Sequence, residues 1–171
     1  AGSSSFTMWT DVQDYFPGYT IINRGFGGST LQDLIRYAEV VIFPYEPRQI
    51  VIYCGENDVA YSETMSGEMV SKLFILLFND IRTELPDVKV TYISMKPSPS
   101  RWHMADRMQA GNKLIREFLD TQKNTSFVNV WDDMLGPDKN PDPSLFIEDM
   151  LHMNAKGYAI WQKKIKPELV K

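Results

Sequence analysis

Gln49-Ile50-Val51-Ile52-Tyr53-Cys54-Gly55-Glu56-Asn57-Asp58 runs from an apolar half into a polar one. Its apolar half has the length and branched content of a buried strand, and Gly55 closes it into a polar turn. A strand apolar along its whole length is covered on both faces, so helices are expected on either side of it. Upstream, Leu31, Leu34, Ile35 and Ala38 recur at helical spacing until Pro44 and Pro47 stop the run. Downstream, a helix is expected from about Ser66 to Leu85, burying Met69, Val70, Leu73, Phe74, Leu77 and Ile81, with Pro86 as its stop. Further out, Thr20 to Asn23, Val88 to Met95 and Phe127 to Val130 read as strands, the second by alternation. Helices are expected from about Ala105 to Thr121 and after Asn154, which is placed to cap the last one before Pro167 ends it. Strands alternating with helices of this length predict an α/β protein, a three-layer α/β/α sandwich around a central parallel sheet. Residues 1–171 read as a single domain.

Composition removes several function classes. The net charge of −4 argues against a basic nucleic-acid surface, so no nucleic-acid partner is expected. One cysteine, Cys54, forbids an internal disulfide, and with two histidines it makes a Cys/His zinc site unfavourable; no metal or other cofactor is expected. No apolar run reaches the roughly 18 residues of a membrane span. These features fix neither the oligomeric state nor the compartment, which stays open between cytoplasmic and periplasmic or secreted. The chain starts at Ala1, where a leader is readily removed.

In open parallel sheets, function gathers beyond the carboxyl ends of the strands. Asp149 stands three residues before His152, close enough to fix the imidazole tautomer and free the other ring nitrogen as a base. Gly2-Ser3-Ser4-Ser5 reads either as a linker or as a serine exposed at a helix start with its N–H free for an oxyanion. Gly25-Phe26-Gly27-Gly28-Ser29-Thr30 is a tight turn capped by Ser29 or Thr30, or a place where a bare glycine N–H approaches a substrate oxygen. It lacks the third glycine of a dinucleotide fingerprint and the Gly-Lys of a phosphate loop. In Gly55-Glu56-Asn57-Asp58, Asn57 is either a turn residue or an amide donor to developing negative charge. His103, with no acid before Asp106, reads as a loop residue, and Cys54 as core.

In this order and spacing the four segments resemble the SGNH hydrolases, the GDSL-like lipase/acylhydrolase superfamily. The resemblance is nearest the branch of platelet-activating-factor acetylhydrolases, through Gly25-Phe26-Gly27-Gly28 and Leu151-His152 followed by Gly157-Tyr158. It covers nearly the whole chain and implies a flavodoxin-like α/β/α fold. It also implies a serine esterase with Ser4, His152 and Asp149 as catalytic triad. The implied oxyanion hole is made of the backbone N–H groups of Ser4 and Gly28 and the Asn57 side chain. Ser3 stands where the family usually has Asp, and the family's strand before the first segment would lie ahead of residue 1. With no long apolar insertion to form a lid, the expected substrate is a small-molecule short-chain ester, an acetyl ester above all. A carbohydrate carrier is one candidate, with Trp102 and Tyr61 as rim aromatics able to stack on sugar. The alternatives are a lysophospholipase or thioesterase, an acyltransferase, or a non-catalytic binding module on the same scaffold.

Overall fold

A computed structural model describes residues 1–171. Three parallel strands form its sheet in the order β1 (Gln49–Ile52), β2 (Lys89–Ile93), β3 (Thr125–Val128). Gln49 pairs with Lys89, and Val90 with Thr125, so the carboxyl ends of all three strands point the same way. Seven α-helices accompany them: α1 (Ser4–Thr7), α2 (Val12–Tyr15), α3 (Leu31–Val41), α4 (Glu56–Tyr61), α5 (Gly67–Glu84), α6 (Ala105–Leu119) and α7 (Ala155–Ile165).

The sheet separates two cores, as an α/β/α sandwich requires. On one face α3, α5 and α6 pack Leu34, Phe74, Ile81 and Ile115 against Ile50, Ile52, Val90 and Tyr92. On the other, α1, the turn after it and α7 pack Phe6, Trp9, Tyr158 and Trp161 against Tyr53, Ile93 and Val128. Each large side chain removed from water here contributes about 1.5–3 kcal/mol before its entropy cost. β2 is therefore buried on both faces rather than alternating, because helices cover it twice. No helix is long and apolar enough to cross a membrane.

Local chemistry sets the helix ends. Thr30 caps α3 in a reciprocal capping box with Asp33, Ser66 accepts the Met69 N–H at the start of α5, and Asn154 accepts from Lys156 and Gly157 in α7. The buried stripe of α5 runs through Val70, Phe74, Leu77, Phe78 and Ile81, whereas Met69 is 45% exposed and Leu73 only half-buried, which corrects the expected face. Gly67 lets α5 meet α6: a Cβ there would lie 2.4 Å from the Gly111 nitrogen.

Thr20 to Asn23, expected as a strand, forms none. Its neighbourhood offers no ladder: Ile21 donates its N–H to the Gln13 side chain, and only Gly25 bridges to Gly2. A groove of about 650 Å³ lies between this segment and β1, lined by Phe16, Tyr19, Ile21 and Val51 among others. Ala1–Ser3 runs parallel to the end of β1, with Tyr53 donating to Ala1 O (3.2 Å) and Ser3 donating to Tyr53 O (3.0 Å). Only glycine fits at position 2, where φ is +152° and a Cβ would fall 2.1 Å from the Tyr53 oxygen.

Candidate active site

At the carboxyl end of β1 three segments of chain converge. Gly2 lies between Tyr53 and Gly25, and this close approach delivers Ser3, Ser4 and Ser5 to the start of α1. Ser3 and Ser5 face the interior at 5% and 2% exposure, while Ser4 is half-buried and faces outward. α7 steadies this turn, since the Tyr158 hydroxyl donates to Ser5 O (2.9 Å).

The Ser4 hydroxyl oxygen lies 2.8 Å from His152 Nε2, and His152 Nδ1 lies 2.6 Å from Asp149 Oδ2. The second Asp149 oxygen, Oδ1, accepts the backbone N–H groups of Leu151 and His152, both at 2.9 Å. This tight turn needs Met150 in the left-handed region at φ 55°, with Ile147 closing it by accepting from Met150 and donating to His152 O. Partial desolvation of the Asp149 carboxyl would raise its pKa. The His152 ring and the two backbone N–H groups outweigh that and hold the carboxyl down at about 2. An ionised Asp149 on Nδ1 leaves Nε2 as the nitrogen directed at the Ser4 hydroxyl.

Each of the converging segments also brings an unused N–H. Neither the Ser4 nor the Gly28 backbone N–H has a backbone acceptor in the chain. Gly28 adopts φ +76°, and a Cβ there would meet the Tyr61 hydroxyl at 3.4 Å, which puts exposed Tyr61 at the rim of the same loop. The Asn57 side-chain amide, buried at the start of α4, donates one hydrogen to Ser29 O (2.9 Å) and keeps the other free. Asp58 ties the two walls together: its carboxylate accepts the Leu31 N–H at 3.0 and 3.1 Å, fastening α4 to the first turn of α3. Burial outweighs that bond and pushes the Asp58 carboxyl up to about 6.

The other residues singled out in the sequence lie apart from this line. Trp102 is half-buried with its ring 5.9 Å from Trp131, in the turn of helix Pro99–Met104 that passes beside the Asp149–His152 turn. His103 is exposed on the same segment and Cys54 is buried, its thiol pushed up by burial.

A buried ionic cluster beside Asn57 is not apparent in the sequence. Glu56, 3% exposed, receives Lys96 Nζ at 3.1 Å, Arg101 Nη1 at 2.9 Å and the Tyr53 hydroxyl. Burial would raise its carboxyl; the charges of Lys96 and Arg101, then the Tyr53 hydroxyl, overcome this and hold it below the ordinary value. The available signal was a lysine closely following the apolar run of β2, in a position where a solvated ammonium has no room.

A serine hydroxyl, an imidazole and a carboxylate in one hydrogen-bonded line, with unused N–H groups on neighbouring segments, suit acyl transfer at a carbonyl. The GDSL-like Lipase/Acylhydrolase family model matches residues 2–160. No curated protein is significantly similar in sequence. Among solved structures, a platelet-activating-factor-like protein from Streptococcus pneumonia superposes with a TM-score of 0.85 at 19% identity, covering 99% of this chain and 81% of that one. A GDSL-like lipase from Bacteroides thetaiotaomicron gives 0.79 at 23% identity, covering 97% and 83%. A catalytic mutant of an acetylxylan esterase from Geobacillus stearothermophilus gives 0.74 at 16% identity, covering 96% and 80%. Those likenesses are of fold, and the family match spans nearly the full chain: it belongs to the GDSL-like lipase/acylhydrolase family, a carboxylic ester hydrolase.

Proposed function

We propose that this chain is a serine esterase that removes short acyl groups, acetyl above all, from small hydroxylated substrates, carbohydrates among them. The observation that carries the reading is the unbroken line from Asp149 through His152 to the Ser4 hydroxyl, flanked by unused N–H donors.

In this reading His152 Nε2 takes the Ser4 proton as Oγ attacks the ester carbonyl. The carbonyl oxygen becomes an oxyanion held by the N–H groups of Ser4 and Gly28 and the free Asn57 hydrogen. Asp149 keeps the imidazole oriented and stabilises the imidazolium. His152 then protonates the departing alkoxide, leaving an acyl-Ser4 ester. Water attacks that ester with its proton passing to His152; the acid leaves and Ser4 regains its proton.

Two features favour a short acyl group on a sugar. The Tyr61 hydroxyl stands against Gly28, crowding the side of the oxyanion loop. Aromatic rings at the rim, exposed Tyr61 and half-buried Trp102, are of the type that packs on sugar faces. One structural neighbour is itself an acetylxylan esterase.

The test is hydrolysis of p-nitrophenyl acetate, butyrate and octanoate by the wild type and Ser4→Ala. The expected result is highest kcat/KM on acetate and a loss on the order of 10³-fold or more in Ser4→Ala. Comparable turnover by both proteins would refute the nucleophile, and preference for octanoate would refute the short-acyl substrate.

A further inference from the structure

Glu56 takes no part in the chemistry just described, yet it is among the most completely enclosed charges in the molecule. Both its oxygens are used: Oε2 accepts from Lys96 (3.1 Å) and from Tyr53, and Oε1 from Arg101 (2.9 Å) and Lys96 (3.3 Å). Lys96 is 1% exposed, and the Arg101 side chain 15%. Removing three ions from water costs more than their attraction commonly returns, and apolar residues of the same volume hold a core at least as well. Stability alone therefore gives no reason for the cluster.

Its position gives one. Glu56 opens α4 and is followed at once by Asn57, the amide donor. Arg101 follows Ser100, whose N–H donates to the Met150 carbonyl (3.1 Å) inside the Asp149–His152 turn. Lys96 lies in the segment that leads from β2 to the helix at Pro99. Burial pushes its ammonium down, and the charge and hydrogen bond of Glu56 act against that. The cluster thus joins the wall bearing Asn57 to the wall backing His152, across 40 and 45 residues of sequence.

We propose that Glu56 is a positioning residue for ester hydrolysis: by clamping Lys96 and Arg101 it fixes the spacing between the Asn57 amide and the Asp149–His152 turn. The proposal rests on the esterase reading of the site. Oxyanion and imidazolium appear together in the tetrahedral intermediate and the transition states flanking it, not in the bound ester, so an error in their spacing reduces kcat and leaves ground-state binding alone.

The experiment measures kcat and KM for p-nitrophenyl acetate in the wild type, Glu56→Gln and Arg101→Gln, well below each melting temperature. Labelling rates with a fluorophosphonate probe are read alongside. The expected result is a fall in kcat of about tenfold or more with KM within about twofold, and slowed labelling in step with kcat. Arg101→Gln, altered at the more accessible partner, decides the matter if Glu56→Gln does not fold. Unchanged kcat in a folded variant, or a rise in KM without a fall in kcat, would overturn the clamp while the esterase stands. A wild type that neither hydrolyses the ester nor reacts with the probe would remove the esterase reading and the clamp with it.

Discussion

Replacing Asp58 by asparagine is expected to weaken the protein in acid and strengthen it at neutral pH. Asp58 is 4% exposed, and its only fixed donors are backbone N–H groups, Leu31 foremost at 3.0 and 3.1 Å. Desolvation dominates and pushes its carboxyl up to about 6, against an ordinary value of roughly 3.9 in the unfolded chain. The folded state therefore holds this proton more tightly. As pH rises, the unfolded chain ionises first, and stability falls between about pH 4 and pH 6 and stays reduced above that window. Two pKa units correspond to about 3 kcal/mol. The substituted asparagine has no charge to desolvate, and its Oδ1 can accept the Leu31 N–H, but its amide hydrogens lack an acceptor, a cost of about 1 kcal/mol. The variant should be about 1 kcal/mol less stable than wild type at pH 4 and about 2 kcal/mol more stable at pH 7.5. Urea unfolding of both proteins at several pH values between these limits measures the difference directly. In a domain of this size the neutral-pH gain amounts to roughly 4–8 °C in Tm. A stability difference that does not change between pH 4 and pH 7.5 would rule out a raised Asp58 carboxyl.

Two further outcomes follow from the same geometry. Asn57→Ala removes the proposed oxyanion donor, worth roughly 2.7–4 kcal/mol in the barrier, so kcat on p-nitrophenyl acetate should fall about a hundredfold or more; unchanged kcat would count against the donor. The Asp149 carboxyl, held at about 2, is ionised throughout the working range, and the stability it contributes is present above the unfolded value of about 4 and lost as pH falls through its folded value. Carboxyl carbon-13 NMR should find it titrating near its folded value, and titration near 4 would contradict the bonding described for it.

Much of this molecule was legible in the sequence, for identifiable reasons. The α/β alternation shows because β1, α5 and α6 carry their periodicity within a single segment, and the caps at Thr30, Ser66 and Asn154 act on N–H groups two or three residues away. Asp149 and His152 are close in the fold because they are close in the chain. Elements that depend on a distant partner were not legible. Thr20 to Asn23 has strand-forming residues and nothing beside it to pair with. Met69 falls on the wrong side of α5 because its phase is set by α6 and the Gly67–Gly111 contact. The strand alternation expected for β2 fails because both its faces are covered. Glu56, Lys96 and Arg101 look like ordinary surface charges in the sequence, and only their meeting beside Asn57 explains their burial. Among three consecutive serines the resemblance implied Ser4, and the reason lies in the backbone at Gly2, whose pairing with Tyr53 accompanies the inward turn of Ser3 and Ser5.

The proposed esterase depends on Ser4, activated by His152, as its nucleophile. Stoichiometric reaction with a fluorophosphonate, followed by peptide mass spectrometry, tests it most directly. The expected result is one adduct per chain, on Ser4, abolished in Ser4→Ala and strongly slowed in His152→Ala. An adduct on Ser3 or Ser5, or no adduct on the folded wild type, would contradict it.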